Sequence, residues 1–150
     1  MSEIGVGDKE MEVKIKSIGI IRSPYKSVKE IPRDYGSTIG EVVVFEEYEQ
    51  GLQDIEGFSH LMILWVFHKS KGHSLLVKPL YYAGAHGVFT TRHPNRPNPI
   101  AVTVVELLER KRNTLKIRGI DAADKTPVID IKPYTLRDMK ENIKTGWLHH

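Results

Sequence analysis

Cysteine is absent from the 150-residue sequence, which excludes a disulfide framework and any cysteine-bearing zinc or redox site. Long hydrophobic runs are absent as well. The longest apolar run, residues 61–67, has roughly a third of the length that a membrane-spanning helix requires. Residues 1–12 are acidic and mixed and contain no hydrophobic signal region. We therefore predict a cytoplasmic protein without a membrane segment.

A glycine-rich turn after the first strand is also missing. Doubly wound nucleotide-binding folds place such a turn there and follow it with a helix and an acidic residue that binds the ribose. Residues 18–21 contain one glycine, and no helical pattern follows them. A nucleotide-type ligand would therefore have to bind to the loops of a different fold.

A strong charge of one sign is lacking too. The net charge of +3 comes from 22 basic and 19 acidic side chains, which is too little to indicate nucleic-acid binding. Basic side chains cluster in residues 22–33 and in Arg110-Lys111-Arg112. A solvated hairpin turn explains residues 109–113 better than an RNA contact does. For residues 22–33, a solvated loop and an RNA contact remain open.

Short β-branched and aromatic runs predominate in the rest of the chain. Many strands, short turns and few helices predict a mainly β fold, a closed or nearly closed antiparallel β-barrel with small helical decorations. A weak helix pattern occurs at residues 48–55 and a better one at residues 136–143. The run at residues 61–68 is apolar on both faces, which indicates a strand in the centre of the sheet. Strands are predicted from Val13, Ile15 and residues 18–21, and at residues 40–45, 61–68, 87–91, 100–108 and 114–121.

The length and the hydrophobic content of 40% fit one domain with its own core. We predict a single domain over residues 1–150, with about ten flexible residues at the N-terminus and a few at the C-terminus.

Chemistry is concentrated in a proline-rich loop, Arg92-His93-Pro94-Asn95-Arg96-Pro97-Asn98-Pro99. Its three prolines remove backbone donors and restrict the residues before them, so the loop is stiff and extended. Guanidinium and amide groups held in such a loop suit an anionic or planar polar ligand. The same composition is also typical of a surface loop with two solvated arginines.

A second polar segment, residues 119–134, places Asp121, Asp124 and Asp130 around a Thr126-Pro127 turn. Further motifs accompany it: Ile18-Gly19-Ile20-Ile21-Arg22-Ser23-Pro24-Tyr25, Ile31-Pro32-Arg33, Gly57-Phe58-Ser59-His60-Leu61, Val66-Phe67-His68, Gly87-Val88-Phe89, Arg96-Pro97-Asn98-Pro99-Ile100 and Asp130-Ile131-Lys132-Pro133-Tyr134. With these motifs the sequence resembles the TsaA-like family, the TrmO type of S-adenosylmethionine-dependent tRNA methyltransferase. The family usually has Asp-Gly-Thr-Pro where this chain has Asp124-Lys125-Thr126-Pro127, so the turn must accept a side chain here.

The resemblance implies a β-barrel homodimer that binds S-adenosylmethionine in its loops and uses tRNA as substrate. The implied reaction is methylation of N6 of threonylcarbamoyladenosine at tRNA position 37, with no metal. It places the cofactor contacts on Pro32, Arg33, Asp34, His68, Lys69, Arg92, Val102, Asp124, Lys125, Thr126 and Pro127.

Each of the main residues has a physical role under this hypothesis. Arg92 would pair with the methionine carboxylate of the cofactor or with an RNA phosphate, and Arg96 or Arg92 with the threonyl carboxylate of the modified base. Asn98 would hold the carbamoyl group or the adenine edge. Asp124 and His68 are the candidates for the group that takes the N6 proton. Without the resemblance, His68 at the end of an apolar strand would be read as a structural histidine.

Two other functions remain open at this point: an S-adenosylmethionine-binding sensor or subunit without RNA methylation activity, and a methyltransferase that acts on another acceptor. Longer members of the family carry an additional C-terminal domain, whereas this sequence ends about one helix after Tyr134. Residues 146–148 are candidates for a remnant that packs on the core. His149 and His150 are either native or the remainder of a tag.

Overall fold

The computed structural model describes residues 11–148. Six strands form a closed antiparallel barrel, and two further strands form a separate small sheet, β4–β5. The order around the barrel is β1-β2-β7-β6-β3-β8, and β8 pairs with β1 to close it. The predicted closed antiparallel barrel is therefore confirmed. The strands are β1 Gly19–Arg22, β2 Ile39–Val44, β3 His60–Val66, β4 Leu76–Val77, β5 His86–Gly87, β6 Ile100–Lys111, β7 Thr114–Arg118 and β8 Pro127–Pro133.

Alternation along the strands builds the core. In β3, Leu61, Ile63 and Trp65 point inward and are buried, and the residues between them are half-buried on the outside. β3 lies between β6 and β8, as its apolar sequence predicts for a central strand. The inward side chains of the other strands complete one continuous cluster around the barrel axis: Ile21, Val42, Val44, Val105, Leu115, Ile117 and Val128.

Two predicted strands differ from the structure at their ends. The first strand begins at Gly19, so Val13 and Ile15 lie outside it and are exposed. The strand predicted to reach Asp121 stops at Arg118, because Gly119 adopts a φ of 99° and gives its N–H to Thr38. The segment after Gly119 is thereby released from the sheet.

The strand predicted at residues 87–91 is wrong. Val88–Thr90 forms a 3-10 turn instead. The hydroxyls of Thr90 and Thr91 donate hydrogen bonds to the carbonyls of Gly87 and Val88, three residues back. Such local bonds compete with strand pairing, which explains why a β-branched and aromatic run turns here.

The helical decorations are all short 3-10 helices within the described residues. The pattern at residues 48–55 corresponds to Glu46–Leu52 and Ile55–Gly57. The helix predicted at residues 136–143 is wrong, since only Leu136–Asp138 forms a turn, which Thr135 and Asp138 cap. Its apolar side chains are exposed, so no packing extends the helix. None of the helices in this part of the chain is long and apolar enough to span a membrane.

The predicted hairpin at residues 109–113 is confirmed between β6 and β7. Arg110 pairs there with Glu56 at 3.2 Å, and Lys111 with Glu109 at 3.8 Å. This basic cluster is a solvated turn. The flexible ends that the sequence predicts fall mostly on residues 1–10 and 149–150, outside the described residues.

Candidate functional site

Three connections meet at one end of the barrel, which we call the loop end. β1 and β3 run toward this end, and β2, β6 and β8 start from it, because neighbouring strands are antiparallel. The connections comprise residues 23–38, 67–99 and 119–126. Every site residue predicted from the sequence lies in one of them or, like Pro127 and Val102, near the start of the strand that follows. The opposite, hairpin end carries none of them.

Two adjacent cavities lie at the loop end and share Trp65 and Phe67, whose ring centroids are 4.6 Å apart. The larger, which we call the loop cavity, has a volume of about 310 Å³, and the smaller, the arginine cavity, about 200 Å³. The predicted residues His68, Lys69 and Thr126 line the loop cavity. Arg92, Arg96 and Val102 line the arginine cavity.

A chain of hydrogen bonds leads from the core into the arginine cavity. The Trp65 indole N–H donates to the Thr103 hydroxyl at 3.0 Å, and Thr103 donates to the Asp121 carboxylate at 2.5 Å. Burial raises the pKa of Asp121, and the bond from Thr103 and the charge of Arg92 oppose that rise. Burial also raises the pKa of Tyr35, and Asp121 adds to this effect. The cavity thus contains a carboxylate that holds its proton more tightly than an exposed one.

Sequence reasoning missed Asp121 as a site residue. The signal that could have found it is Thr103, a polar residue at an inward position between Ala101 and Val105 on β6. A buried hydroxyl in such a strand needs a polar partner inside the barrel.

The proline-rich loop is held by its own polar groups. One guanidinium nitrogen of Arg96 donates to the carbonyls of Thr91 and His93 at 2.9 and 3.2 Å. The His93 ring accepts the Asn95 N–H at 3.1 Å. Arg96 is half-buried and Arg92 is exposed. Arg96 therefore braces the loop, a role that the sequence did not predict, and Arg92 presents its charge at the surface of the cavity.

Asp124 joins two connections rather than lining a cavity. Its carboxylate accepts the Ser23 N–H at 3.1 Å, and its own N–H donates to the Tyr25 carbonyl at 2.7 Å. Lys125 follows with a φ of 70°, the left-handed conformation that favours glycine. The turn does accept a side chain, as the sequence requires, at some cost in backbone strain.

The remaining predicted residues lie in the connections but outside the linings of the two cavities. Asn98 is exposed and lines neither cavity, and the same holds for Pro32 and Asp34. The Arg33 guanidinium lies 4.4 Å from the centroid of the Tyr81 ring. Tyr81 is a second residue that sequence reasoning missed.

A larger cavity, about 580 Å³, lies at the hairpin end and includes Tyr48, Phe58 and Asp130 in its lining. It contains none of the predicted site residues. The two smaller cavities therefore form the candidate site. Within residues 11–148, no group of three or more histidine, aspartate or glutamate side chains is placed to hold a metal ion.

Residues 146–148 do not pack on the barrel core. The Trp147 ring stacks on His86, with centroids 3.8 Å apart, and its N–H donates to the Thr90 hydroxyl at 2.9 Å. The C-terminal segment is thereby attached to the β4–β5 sheet, next to the proline-rich loop.

Fold and candidate site together define a class: a closed antiparallel barrel with adjacent cavities, one of them lined by two arginines, among the loops at one end. More specifically, the chain belongs to the family described as the tRNA-methyltransferase O N-terminal domain, whose model matches residues 20–138. The family predicted from the sequence motifs is confirmed.

Individual relatives agree with this membership. The chain is 48% identical over 137 residues to a probable S-adenosyl-L-methionine-binding protein of Pyrococcus abyssi, covering 89% of this chain and 74% of the relative. It is 42% identical over 134 residues to the tRNA (adenine(37)-N6)-methyltransferase of Escherichia coli, covering 81% and 57%. A crystal structure of TrmO superposes with a TM-score of 0.77 at 34% identity, covering 91% and 64%. The chain thus spans less than two thirds of the last two proteins.

Proposed function

We propose that this chain is an S-adenosylmethionine-dependent tRNA methyltransferase that methylates N6 of threonylcarbamoyladenosine at tRNA position 37. The observation that carries the proposal is the meeting of side chains from separate connections at two adjacent cavities. Family membership and the name of the Escherichia coli relative support the same reaction. A tRNA substrate also fits the predicted cytoplasmic location.

The side chains around the cavities suit the groups of the cofactor. Trp65 and Phe67 offer flat apolar surface against which an adenine can pack. Arg92 is a cation for the methionine carboxylate. The loop cavity, at about 310 Å³, lies within the usual range for small-molecule sites, roughly 300–1,000 Å³. When bound, S-adenosylmethionine supplies an activated methyl group.

We assign the rim residues of the predicted cofactor site supporting roles. Asp124 holds residues 119–126 against Ser23 and Tyr25, so its carboxylate keeps Lys125, Thr126 and Pro127 in position. Pro32, Arg33 and Asp34 form the facing rim of the site.

For the acceptor, Arg96 is the proposed partner of the threonyl carboxylate. One of its nitrogens is fixed by the loop carbonyls, which orients the guanidinium before the substrate arrives. Asn98, exposed at the rim, would bind the carbamoyl group. Asp121 is the proposed acceptor of the N6 proton, because a carboxylate with a raised pKa is a stronger base than an exposed one. His68 lines the loop cavity, whereas Asp121 lines the arginine cavity together with Arg92 and Arg96.

The deciding experiment compares two tRNAs of the same sequence, one with threonylcarbamoyladenosine and one with unmodified adenosine. The first should acquire a methyl group, detected by mass analysis of its nucleosides, and the second should not. A site built around a charged hydrogen bond rejects the analogue that lacks the anion. Equal methylation of both would show that the threonyl group is not read.

A binding protein without RNA methylation activity is the second candidate, and the name of the Pyrococcus abyssi relative favours it. Calorimetry with S-adenosylmethionine separates the cases. Heat of binding with no methylation of either tRNA would favour the sensor or subunit. Methylation of another acceptor would favour the third candidate, a methyltransferase that does not act on these tRNAs. No binding at millimolar cofactor would remove all three.

We propose a homodimer as well, supported by an apolar patch outside the barrel. Met62, Leu64 and Val66 on β3 lie opposite Val104, Val102 and Ile100 on β6, and all six point away from the core. Val102 and Val104 are 39% and 46% exposed. Val102 also lines the arginine cavity, so a second copy on this patch would lie beside the site.

A further inference from the structure

Acidic residues are absent from a third of the chain. Between Glu56 and Glu106 there is no aspartate or glutamate, whereas five lysines and arginines and five of the seven histidines occur there. The rest of the chain has 17 basic and 19 acidic side chains, so the positive charge of the protein resides in this stretch. All five basic residues belong to the connection 67–99, which we call the crossover.

The structure leaves this charge uncompensated by contacts. In the part of the chain that the structure describes, none of the five forms a salt bridge with a carboxylate. Arg92 interacts electrostatically with Asp121 without such a contact. Lys71 and Lys78 are exposed. By contrast, each basic side chain of the hairpin pair Arg110 and Lys111 has an acidic partner. A concentrated, unpaired charge beside a cavity attracts a polyanion.

An aromatic ring stands in the middle of the crossover. Tyr81 is 61% exposed and has a φ of 72°, a conformation that costs energy for a bulky side chain. Its ring is covered on one side by the Arg33 guanidinium, 4.4 Å away. Arg33 comes from a different connection, so the pair bridges two walls of the loop end. The fold therefore holds a large ring in solvent where glycine would be less strained.

We propose that the crossover is the docking surface for the unpaired bases of the tRNA anticodon loop. The Tyr81 ring stacks on one base, backed by Arg33, and Lys71 and Lys78 contact the flanking phosphates. Stacking of unpaired bases on aromatic rings within a basic groove is the usual mode of single-stranded RNA recognition. This inference rests on the proposed function. It assigns the RNA contact to the crossover at the loop end.

The test measures binding of an anticodon stem-loop RNA to the full chain by fluorescence anisotropy. Tyr81→Ala should weaken binding roughly 5- to 150-fold, the range for the loss of one stacked base. Tyr81→Phe should bind like the unchanged protein. Lys71→Ala and Lys78→Ala should each weaken binding and lower the salt dependence by about one ion. Lys111→Ala, at the hairpin end, is the matched control and should change nothing.

Three outcomes would overturn the proposal: no binding of the stem-loop by the unchanged protein, equal binding by Tyr81→Ala, or equal binding of a duplex of the same length without a loop. Affinity for S-adenosylmethionine, measured by calorimetry, should be the same in all these variants. If the unchanged protein methylates tRNA and Tyr81→Ala does not weaken binding of the stem-loop, the proposed function stands and only this docking surface is removed. Absence of methylation and of cofactor binding would instead remove the proposed function.

Discussion

Three aspartates of residues 119–134 look alike in sequence and have different surroundings in the fold. Asp124 accepts a backbone N–H from Ser23, and Asp130 pairs with Lys132 at 3.0 Å on the surface. Of the three, only Asp121 lines the arginine cavity, where it accepts a hydrogen bond from Thr103. The resemblance places Asp124 in the site, and that role stays a prediction. Spacing alone does not indicate which carboxylate faces inward after Gly119 ends the strand.

Asp121 gives the residue-scale prediction. Its pKa in the folded state is raised above the usual value of 3.8, so the charged form is disfavoured by folding. Stability should therefore be lost as the pH rises from that value through the raised pKa. Asp121→Asn keeps an oxygen that accepts the Thr103 hydrogen bond and removes the charge, so it should melt at a higher temperature near pH 7.

The advantage of Asp121→Asn should disappear once the pH is well below the usual value of 3.8, where the aspartate is protonated in both states. Thermal unfolding followed by circular dichroism over this pH range checks both statements. A lower melting temperature of Asp121→Asn at pH 7 would mean that the attraction between the Asp121 carboxylate and Arg92 stabilises the fold.

The two arginines of the proline-rich loop make separable contributions, which gives a paired prediction. Arg92→Ala should keep its melting temperature and lose about 1.5 to 3 kcal/mol of cofactor binding, the range for charge-assisted bonds. Arg96→Ala should lose two loop hydrogen bonds and roughly 1–3 kcal/mol of stability. It should also methylate more slowly while its cofactor affinity stays nearly normal.

Calorimetric titration and thermal melts separate these effects. Unchanged stability of Arg96→Ala would contradict the bracing role. Normal cofactor binding by Arg92→Ala would mean that Arg92 is a solvated side chain of a surface loop.

At the scale of elements, β-branched and aromatic runs identified the barrel strands, since such side chains pack well on a pleated, half-buried surface. The failures occur where another interaction competes with pairing. Threonine hydroxyls turn Val88–Thr90 into a 3-10 helix, and residues 139–143 find no surface on which a helix could pack. The local sequence does not show whether the fold provides a surface on which a helix can pack.

The outer patch of β3 and β6 carries the element-scale prediction. If it is the dimer interface, Val104→Lys would bury an unpaired charge and should weaken the dimer roughly 100-fold or more. Light scattering across a concentration series measures this. Val13→Lys, the same change at an exposed valine away from the patch, should leave the assembly unchanged. A dimer that survives Val104→Lys would place the interface elsewhere.

For the whole molecule, the order of the motifs predicted the family and the barrel, but not the joining of distant segments. Pro32, His68, Arg92 and Thr126 are far apart in sequence, and strand directions alone bring their connections to one end. Closure of the barrel by the pairing of β8 with β1 places these connections around one axis, and this pairing is not visible in any local pattern. The site residues were therefore expected from resemblance, and their arrangement required the structure.

The position of the β6–β7 hairpin has a practical use. It lies at the opposite end from the candidate site, and the side chain of Lys111 at its tip is 79% exposed. Because the chain has no cysteine, Lys111→Cys would create a single thiol for a fluorophore or a surface linker. Protein molecules attached through this thiol would all expose the loop end to the solution, which suits single-molecule observation of ligand binding.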